Sequence, residues 1–339
     1  MILFNLIVFT AGLFLLYLGA EMLVRSASRL ALLFNIRPII VGLTVVAFGT
    51  SSPEFIVSFI AAYSGKIDVS IGNIVGSNIT NIALVLGCSV LLKPMQKLES
   101  DLKKELYWLT AVSFLFWIFS LNFEISRFEG FIMFALLVVF TVTLIRQSMK
   151  VSSENGSPIP AAVVPEIEKE LVVSTGREIV DNLSPRVKKI LFLTLSILGI
   201  GVLSFGSNLT IESAIIIAEH FGVSQIVIGL TLVAFGTSLP ELATAIVSVI
   251  KNENDILLGN ILGSNLFNIL GVAGVVAMIY PLPMNNQIVY FNFPVMLMLT
   301  LILFFYLLIK GRINRIAGMM FLVFYLVFLY FVVNNPLSI

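Results

Sequence analysis

Apolar residues run through this chain in long, nearly unbroken stretches, unlike the narrow stripes of soluble amphipathic helices. Crossing about 30 Å of hydrocarbon takes about 20 such residues. Ten stretches meet or approach that length, roughly 1–20, 39–63, 69–92, 106–121, 131–145, 190–209, 226–250, 256–280, 288–309 and 316–333, and they predict ten transmembrane helices. The fourth and fifth are short, which leaves their ends open. The first lacks a basic leader and a small-residue cleavage pattern, so it is expected to remain as a helix and not to be removed as a signal peptide.

The polar connections set sidedness, because Lys and Arg accumulate in cytoplasmic loops. Alternate connections hold 18 of the 20 basic residues, from Arg25, Arg29 and Arg37 in the first to Lys310, Arg312 and Arg315 in the last, and the opposite side keeps only Lys66 and Arg127. A multi-pass protein of the cell membrane is expected, with both termini extracellular and the central connection cytoplasmic. That connection, 147–189, carries Pro158, Pro160, Pro165 and acidic residues from Glu166 to Glu178, which reads as a flexible linker with one short surface helix near 167–173.

Shifted by 187 positions, the chain matches itself. Residues 41–54, VGLTVVAFGTSSPE, lie over 228–241, IGLTLVAFGTSLPE, with 11 of 14 identical; residues 68–81, DVSIGNIVGSNITN, lie over 255–268, DILLGNILGSNLFN, with 8 of 14 identical. The predicted fold is therefore an all-α polytopic membrane protein built from two five-helix repeats: 1–146 with its motif at 41–87, the linker 147–189, and 190–339 with its motif at 228–274. Five is odd, so the second copy enters the membrane from the other side, and inverted repeats around a midplane site are a common plan of secondary transporters.

Polar residues interrupt the apolar pattern at matching places in the two copies. Ala47, Thr50, Ser51 and Glu54 share one helical face, as do Ala234, Thr237, Ser238 and Glu241. Pro53 and Pro240 lack an N–H and should kink or break their helices, leaving backbone carbonyls that membrane depth tolerates only inside protein or beside a wet cavity. The next span supplies Asn73, Ser77 and Asn81, repeated as Asn260, Ser264 and Asn268. If the four faces converge, their lining is carboxylate, amide, hydroxyl and carbonyl oxygen, which suits Na⁺, Ca²⁺ or Mg²⁺. A carboxylate at the centre of a span costs about 2.5–3.5 kcal/mol, and Glu54 and Glu241 have no Lys or Arg on the motif segments to offset it. The missing counter-charge is what a transported cation supplies. Protons can neutralise the same pair, so H⁺ is an expected competitor. Glycines Gly72, Gly76, Gly259 and Gly263 form small-xxx-small patterns that predict close helix packing. Glu21 and Glu212 lie outside the repeated motif and are expected to be peripheral or gating.

Composition narrows the chemistry further. Hydrophobic residues make up 58% of the chain and charged ones 12%, and the formal charge of +1 offers no basic field for nucleic acid. One Cys and one His exclude disulfides and most metalloenzyme chemistry; no cofactor, enzymatic activity or obligate protein partner is expected, only the ions and the lipid bilayer. Cys88 reads as a small buried thiol.

The doubled blocks GLTVVAFGTSSPE with GNIVGSNITN, and GLTLVAFGTSLPE with GNILGSNLFN, resemble the α-repeats of the cation/calcium exchanger superfamily, and within it the prokaryotic sodium/calcium exchangers. The resemblance extends over the ten-span layout of the whole chain. It implies that Glu54, Thr50, Ser51, the Ala47 carbonyl, Ser77 and Asn81, with Glu241, Thr237, Ser238, the Ala234 carbonyl, Ser264 and Asn268, coordinate Na⁺ and Ca²⁺. It also implies alternating access in which the first and sixth spans slide against an eight-helix core, and a third Na⁺ that would make exchange electrogenic. Several sodium/calcium exchangers and the potassium-dependent branch carry Asp where this chain has Asn268, so two formal negative charges remain here and potassium coupling is not expected. Three rivals stand beside this reading: a proton/calcium exchanger, which would share nearly all these ligands; a channel, which would conduct without counter-ion; and an intramembrane hydrolase, whose serine would need a base although His220 falls in an outer connection.

Overall fold

A computed structural model describes residues 2–95, 102–154, 183–221 and 234–334. Their fold is almost entirely helical: α1 (Ile2–Phe34), α2 (Pro38–Thr50), α3 (Ser52–Tyr63), α4 (Ile67–Leu92), α5 (Lys103–Ser120), α6 (Arg127–Glu154), α7 (Pro185–His220), α8 (Ala234–Thr237), α9 (Leu239–Ile250), α10 (Asn254–Ile279), α11 (Ile288–Lys310) and α12 (Arg315–Asn334). Helices dominate because hydrocarbon offers no partner for a free N–H or C=O. Among the described residues seven helices are long and apolar enough to cross a membrane, and α2 with α3, bent by 44°, forms an eighth crossing if the pair is one span. One short antiparallel ladder, Glu124–Ile125 against Leu282–Pro283, ties the α5–α6 turn to the α10–α11 turn.

The helix ends follow local chemistry. Pro38 and Pro185 sit where a helix start has no use for an N–H, and Ser184 caps α7 by accepting from the Val187 N–H. The turns after α3 and α9 place a left-handed residue at the same repeat position, Gly65 at φ 74° and Asn252 at φ 62°, types that tolerate this region.

Several helices differ from their predicted extents. The first and sixth were expected over 1–20 and 190–209 and instead run 33 and 36 residues, because polar residues read as span ends continue the helix. Ser26 bonds the Met22 carbonyl and meets Ser196 Oγ at 2.7 Å across the α1–α7 interface, while Thr210 bonds the Gly206 carbonyl. Helix α6 runs on to Glu154 and α7 begins at Pro185, so both enter the stretch expected to be linker; the expected helix near 167–173 lies outside the described residues, as does most of the first half of the seventh span. Wider π-turns, which no sequence pattern announced, occupy Gly42–Val46, Asn81–Leu86, Phe267–Ala273 and Ile288–Asn292.

Helices α4 and α10 form the centre, 78% and 83% buried over their apolar windows against 22% for α1 and 28% for α7. Gly259 and Gly263 pack as expected: a Cβ on Gly259 would lie 2.5 Å from the Ile39 carbonyl, and one on Gly263 2.7 Å from Leu43. Gly72 and Gly76 meet nothing within 4 Å among the described residues, and 229–233, equivalent by the repeat to most of Gly42–Ala47, lie outside them. Outside the centre, α1 and α7 lie along each other through four glycines. Gly12 meets Gly206 and Gly19 meets Gly199, and since Gly12 and Gly19 correspond to Gly199 and Gly206 under the 187-residue shift, the contact is reciprocal.

Small residues let these two backbones touch, and lipid supplies no hydrophobic drive to replace that contact. A Cβ on Gly206 would sit 2.8 Å from Leu16 N and 2.9 Å from the Gly12 carbonyl, whereas one on Gly201 meets nothing within 4 Å among the described residues. Gly206→Leu is expected to cost about 1–3 kcal/mol by overpacking and Gly201→Leu close to nothing, read as a clear drop in the thermal unfolding midpoint of the purified protein for the first variant only.

Candidate functional site

The two helix breaks face each other at the centre. Pro53 and Pro240 each occupy the second position of the helix after the break, and Ser51 (φ −85°, ψ 6°) and Ser238 (φ −88°, ψ 6°) form matching hinges. The breaks therefore fall two residues before each proline, since proline fits the first turn of a new helix better than the interior of an old one. Glu54 and Glu241 follow in those first turns, where helix N-termini favour negative charge.

Both carboxylates are fully buried, 0% exposed. Hydroxyl groups reach each of them from the opposite copy. Ser51 donates to Glu241 Oε1 at 2.9 Å, and its equivalent Ser238 donates to Glu54 Oε1 at 3.4 Å. Ser264 adds a longer bond of 3.5 Å to Glu241 Oε1. Thr50 donates to Asn260 Oδ1 at 3.1 Å and Thr237 to Asn73 Oδ1 at 3.3 Å, again one pair under the repeat. Asn73 passes its own hydrogens to Ser58 Oγ at 2.9 Å and the Glu54 carbonyl at 3.3 Å.

Asn81, Ser77 and Asn268 complete the buried polar set. Asn81 donates to Asn265 Oδ1 at 3.1 Å. Glu54 Oε2, Glu241 Oε2, Ser77 Oγ, Asn81 Oδ1 and Asn268 Oδ1 are buried oxygens that receive no hydrogen bond. Buried acceptors of this kind are uncommon, and two of these lie on the carboxylates themselves. Among the described residues no Lys or Arg pairs with Glu54 or Glu241; the basic side chains nearest in kind are spent on Glu21, bonded by Arg25 and Lys251, and on Glu105, bonded by Arg37. Groups of three or more His, Cys, Asp or Glu suited to a metal are absent among the described residues, so the lining is amide and hydroxyl around two carboxylates. Such oxygens suit hard cations.

The Ala47 carbonyl differs from its expected condition. It accepts the Ser51 N–H at 3.0 Å and the Thr50 hydroxyl at 3.4 Å. The proline frees the carbonyl four residues before itself, Gly49 in the first copy and Gly236 in the second. Ser207 of α7 donates to the Gly236 carbonyl at 3.0 Å, a link not expected from the sequence, whose signal is a serine inside an apolar span; the equivalent position in α1 is Ala20, which has no hydroxyl to offer Gly49. Glu21 is an ion-paired residue and Glu212 is exposed, and Cys88 is half-buried instead of enclosed.

Comparison with known proteins gives one consistent result. A family model described as sodium/calcium exchanger protein matches residues 4–146 and 191–334. The putative antiporter CaxA of Alkalimonas amylolytica is 37% identical over 96% of this chain and 97% of its own length. The sodium/calcium exchanger MaX1 of Methanosarcina acetivorans is 31% identical over 97% of this chain and 98% of its own. Among solved structures, the sodium-calcium exchanger NCX_Mj soaked with Na⁺ and Ca²⁺ superposes with a TM-score of 0.78 at 29% identity, covering 96% of this chain and 98% of that one.

The polar network makes unequal use of repeat-equivalent residues. Asn73 uses both its amide atoms, whereas Asn260 Nδ2 has no acceptor because Ala245 stands where the first copy has Ser58. Asn73→Ala is expected to cost about 1–3 kcal/mol, as buried hydroxyl partners lose their bonds, and Asn260→Ala clearly less; thermal unfolding of the two purified variants side by side checks the order.

Proposed function

Because this chain belongs to the sodium/calcium exchanger protein family, we propose that Glu54 and Glu241 are the shared carboxylates over which it exchanges Na⁺ for Ca²⁺ across the membrane. The observation that carries the reading is the pair itself: two fully buried acids, unpaired by any basic residue among the described ones, each with one oxygen that receives no donor. One Ca²⁺ or two Na⁺ neutralise them. Thr50, Ser51, Ser77 and Asn81, with Thr237, Ser238, Ser264 and Asn268, supply neutral oxygens, as do the Ala47 carbonyl, through its second lone pair, and the Ala234 carbonyl.

Coupling follows from desolvation. Enclosing an empty, doubly negative site away from water is costly, so access alternates only when cations fill it, and uncoupled leak is suppressed. We assign ten spans in two inverted five-helix repeats, both termini outside and the linker inside, supported by the 187-residue repeat, the basic-residue asymmetry and the two separate stretches covered by the family model. Helices α1 and α7 move together against the rest. Their glycine-mediated contact supports treating them as one body, and Glu21 with Lys251, Ser28 with Glu253 at 2.6 Å and Ser207 with Gly236 are the polar latches that would have to release.

Proteoliposomes test the reading. An outward Na⁺ gradient is expected to drive ⁴⁵Ca²⁺ uptake where a pH gradient without Na⁺ does not; Glu54→Gln and Glu241→Gln are each expected to abolish uptake, and Glu21→Gln only to slow it. Normal transport by both core variants would refute the assignment, and uptake driven by protons alone would favour a proton/calcium exchanger. Acid is a second test. With no basic partner among the described residues to hold the carboxylates ionised, protons compete for them, so uptake is expected to fall as pH is lowered and to recover as Ca²⁺ is raised; a constant flux from alkaline to mildly acidic pH would contradict competition.

A further inference from the structure

Asn81 can serve a cation only through its oxygen, since its amide nitrogen carries hydrogens that repel positive charge. A chain of hydrogen bonds with a fixed direction decides which of its two amide atoms is left over. It starts at the Asn78 backbone carbonyl, which can only accept. Asn265 donates Nδ2 to that carbonyl at 3.4 Å, and this fixes the amide of Asn265 with its oxygen on the other side. There Oδ1 accepts from Asn81 Nδ2 at 3.1 Å, so Asn81 Oδ1 points away from the chain and remains a buried, undonated oxygen. The carbonyl stands where α4 passes into its π-turn, and the Asn81 N–H is shared there between the Ser77 and Asn78 carbonyls.

The mirrored chain does not form. Asn78 donates its amide to Ile74 O in its own helix at 2.7 Å, and Asn268, the counterpart of Asn81, has neither amide atom bonded. The two copies therefore present one amide with a set orientation and one that is free to turn.

We propose that Asn265 is a positioning residue for ion exchange: through the one-way relay from the Asn78 carbonyl it holds the Asn81 oxygen toward the cation site. The proposal rests on the reading of Asn81 as a ligand. Partners of this kind behind a metal ligand commonly set affinity by about 10–100-fold. A residue that only joined helices would instead lower stability and flux alike, whatever stood at position 81.

The test is a double-mutant cycle on the full chain in proteoliposomes, reading the Ca²⁺ concentration for half-maximal Na⁺-driven ⁴⁵Ca²⁺ uptake. Asn265→Leu is expected to raise it about tenfold with the maximal rate kept within about twofold. In an Asn81→Asp background either rotamer presents an oxygen, and the same substitution is expected to change it less than about twofold. Asn265→Ala, which cannot overpack, carries the same expectations if the leucine variant does not reconstitute. An equal effect in both backgrounds, or none in the native one, overturns the relay. An unchanged half-maximal concentration in Asn81→Ala overturns the ligand role of Asn81 itself, and the relay with it.

Discussion

Two carboxylates enclosed without a positive partner among the described residues are the constraint around which this molecule is arranged. Glu54 and Glu241 are completely buried, and the nearby hydrogen-bond donors are hydroxyls, not ammonium or guanidinium groups. Neutral donors steady one oxygen of each carboxylate and leave the other without a donor. A protein that needed only stability would remove such charges or pair them, because unpaired buried charge is among the most expensive things a fold can hold. Keeping them makes sense when the compensating charge is delivered by the passing ion.

The surroundings follow from duplication. One segment, AFGTS-x-PE, used twice, brings a hinge serine, a threonine and an acid to the centre from two sides, and each serine bonds the acid of the other copy. Divergence then makes the halves unequal in detail. Ser58 has become Ala245, Ala20 has become Ser207, and the asparagines beside the site bond differently in the two copies. Equal halves suit alternating access, and small inequalities decide which state is favoured and how each ligand is presented.

Much of this was readable from residues alone, for physical reasons. The hinges were legible because proline cannot continue a helix, and the convergence of Glu54, Glu241, Ser51 and Ser238 because acids inside apolar spans must face one another or a cavity. The length of α1 and α7 was not legible, since Ser26 and Thr210 look like positions beyond a span end until their hydrogen bonds within and between helices are known. Nor were the π-turns, which depend on how the backbone resolves crowding near the site. The Ala47 carbonyl keeps its helical bond to Ser51, and the carbonyl four residues before the proline is that of Gly49, a distinction that motif spacing does not make. Amide orientation at Asn81 likewise could not be inferred from spacing, because it depends on a carbonyl three residues earlier and an asparagine in the other copy.

A crystal structure of the protein soaked with Ca²⁺ bears most directly on the carboxylate pair. Expected is one Ca²⁺ held by an oxygen of Glu54 and an oxygen of Glu241 together, each at about 2.3–2.6 Å. An ion bound elsewhere with the two acids left facing each other, or a Lys or Arg side chain seated between them, would contradict the idea that the cargo supplies their counter-charge.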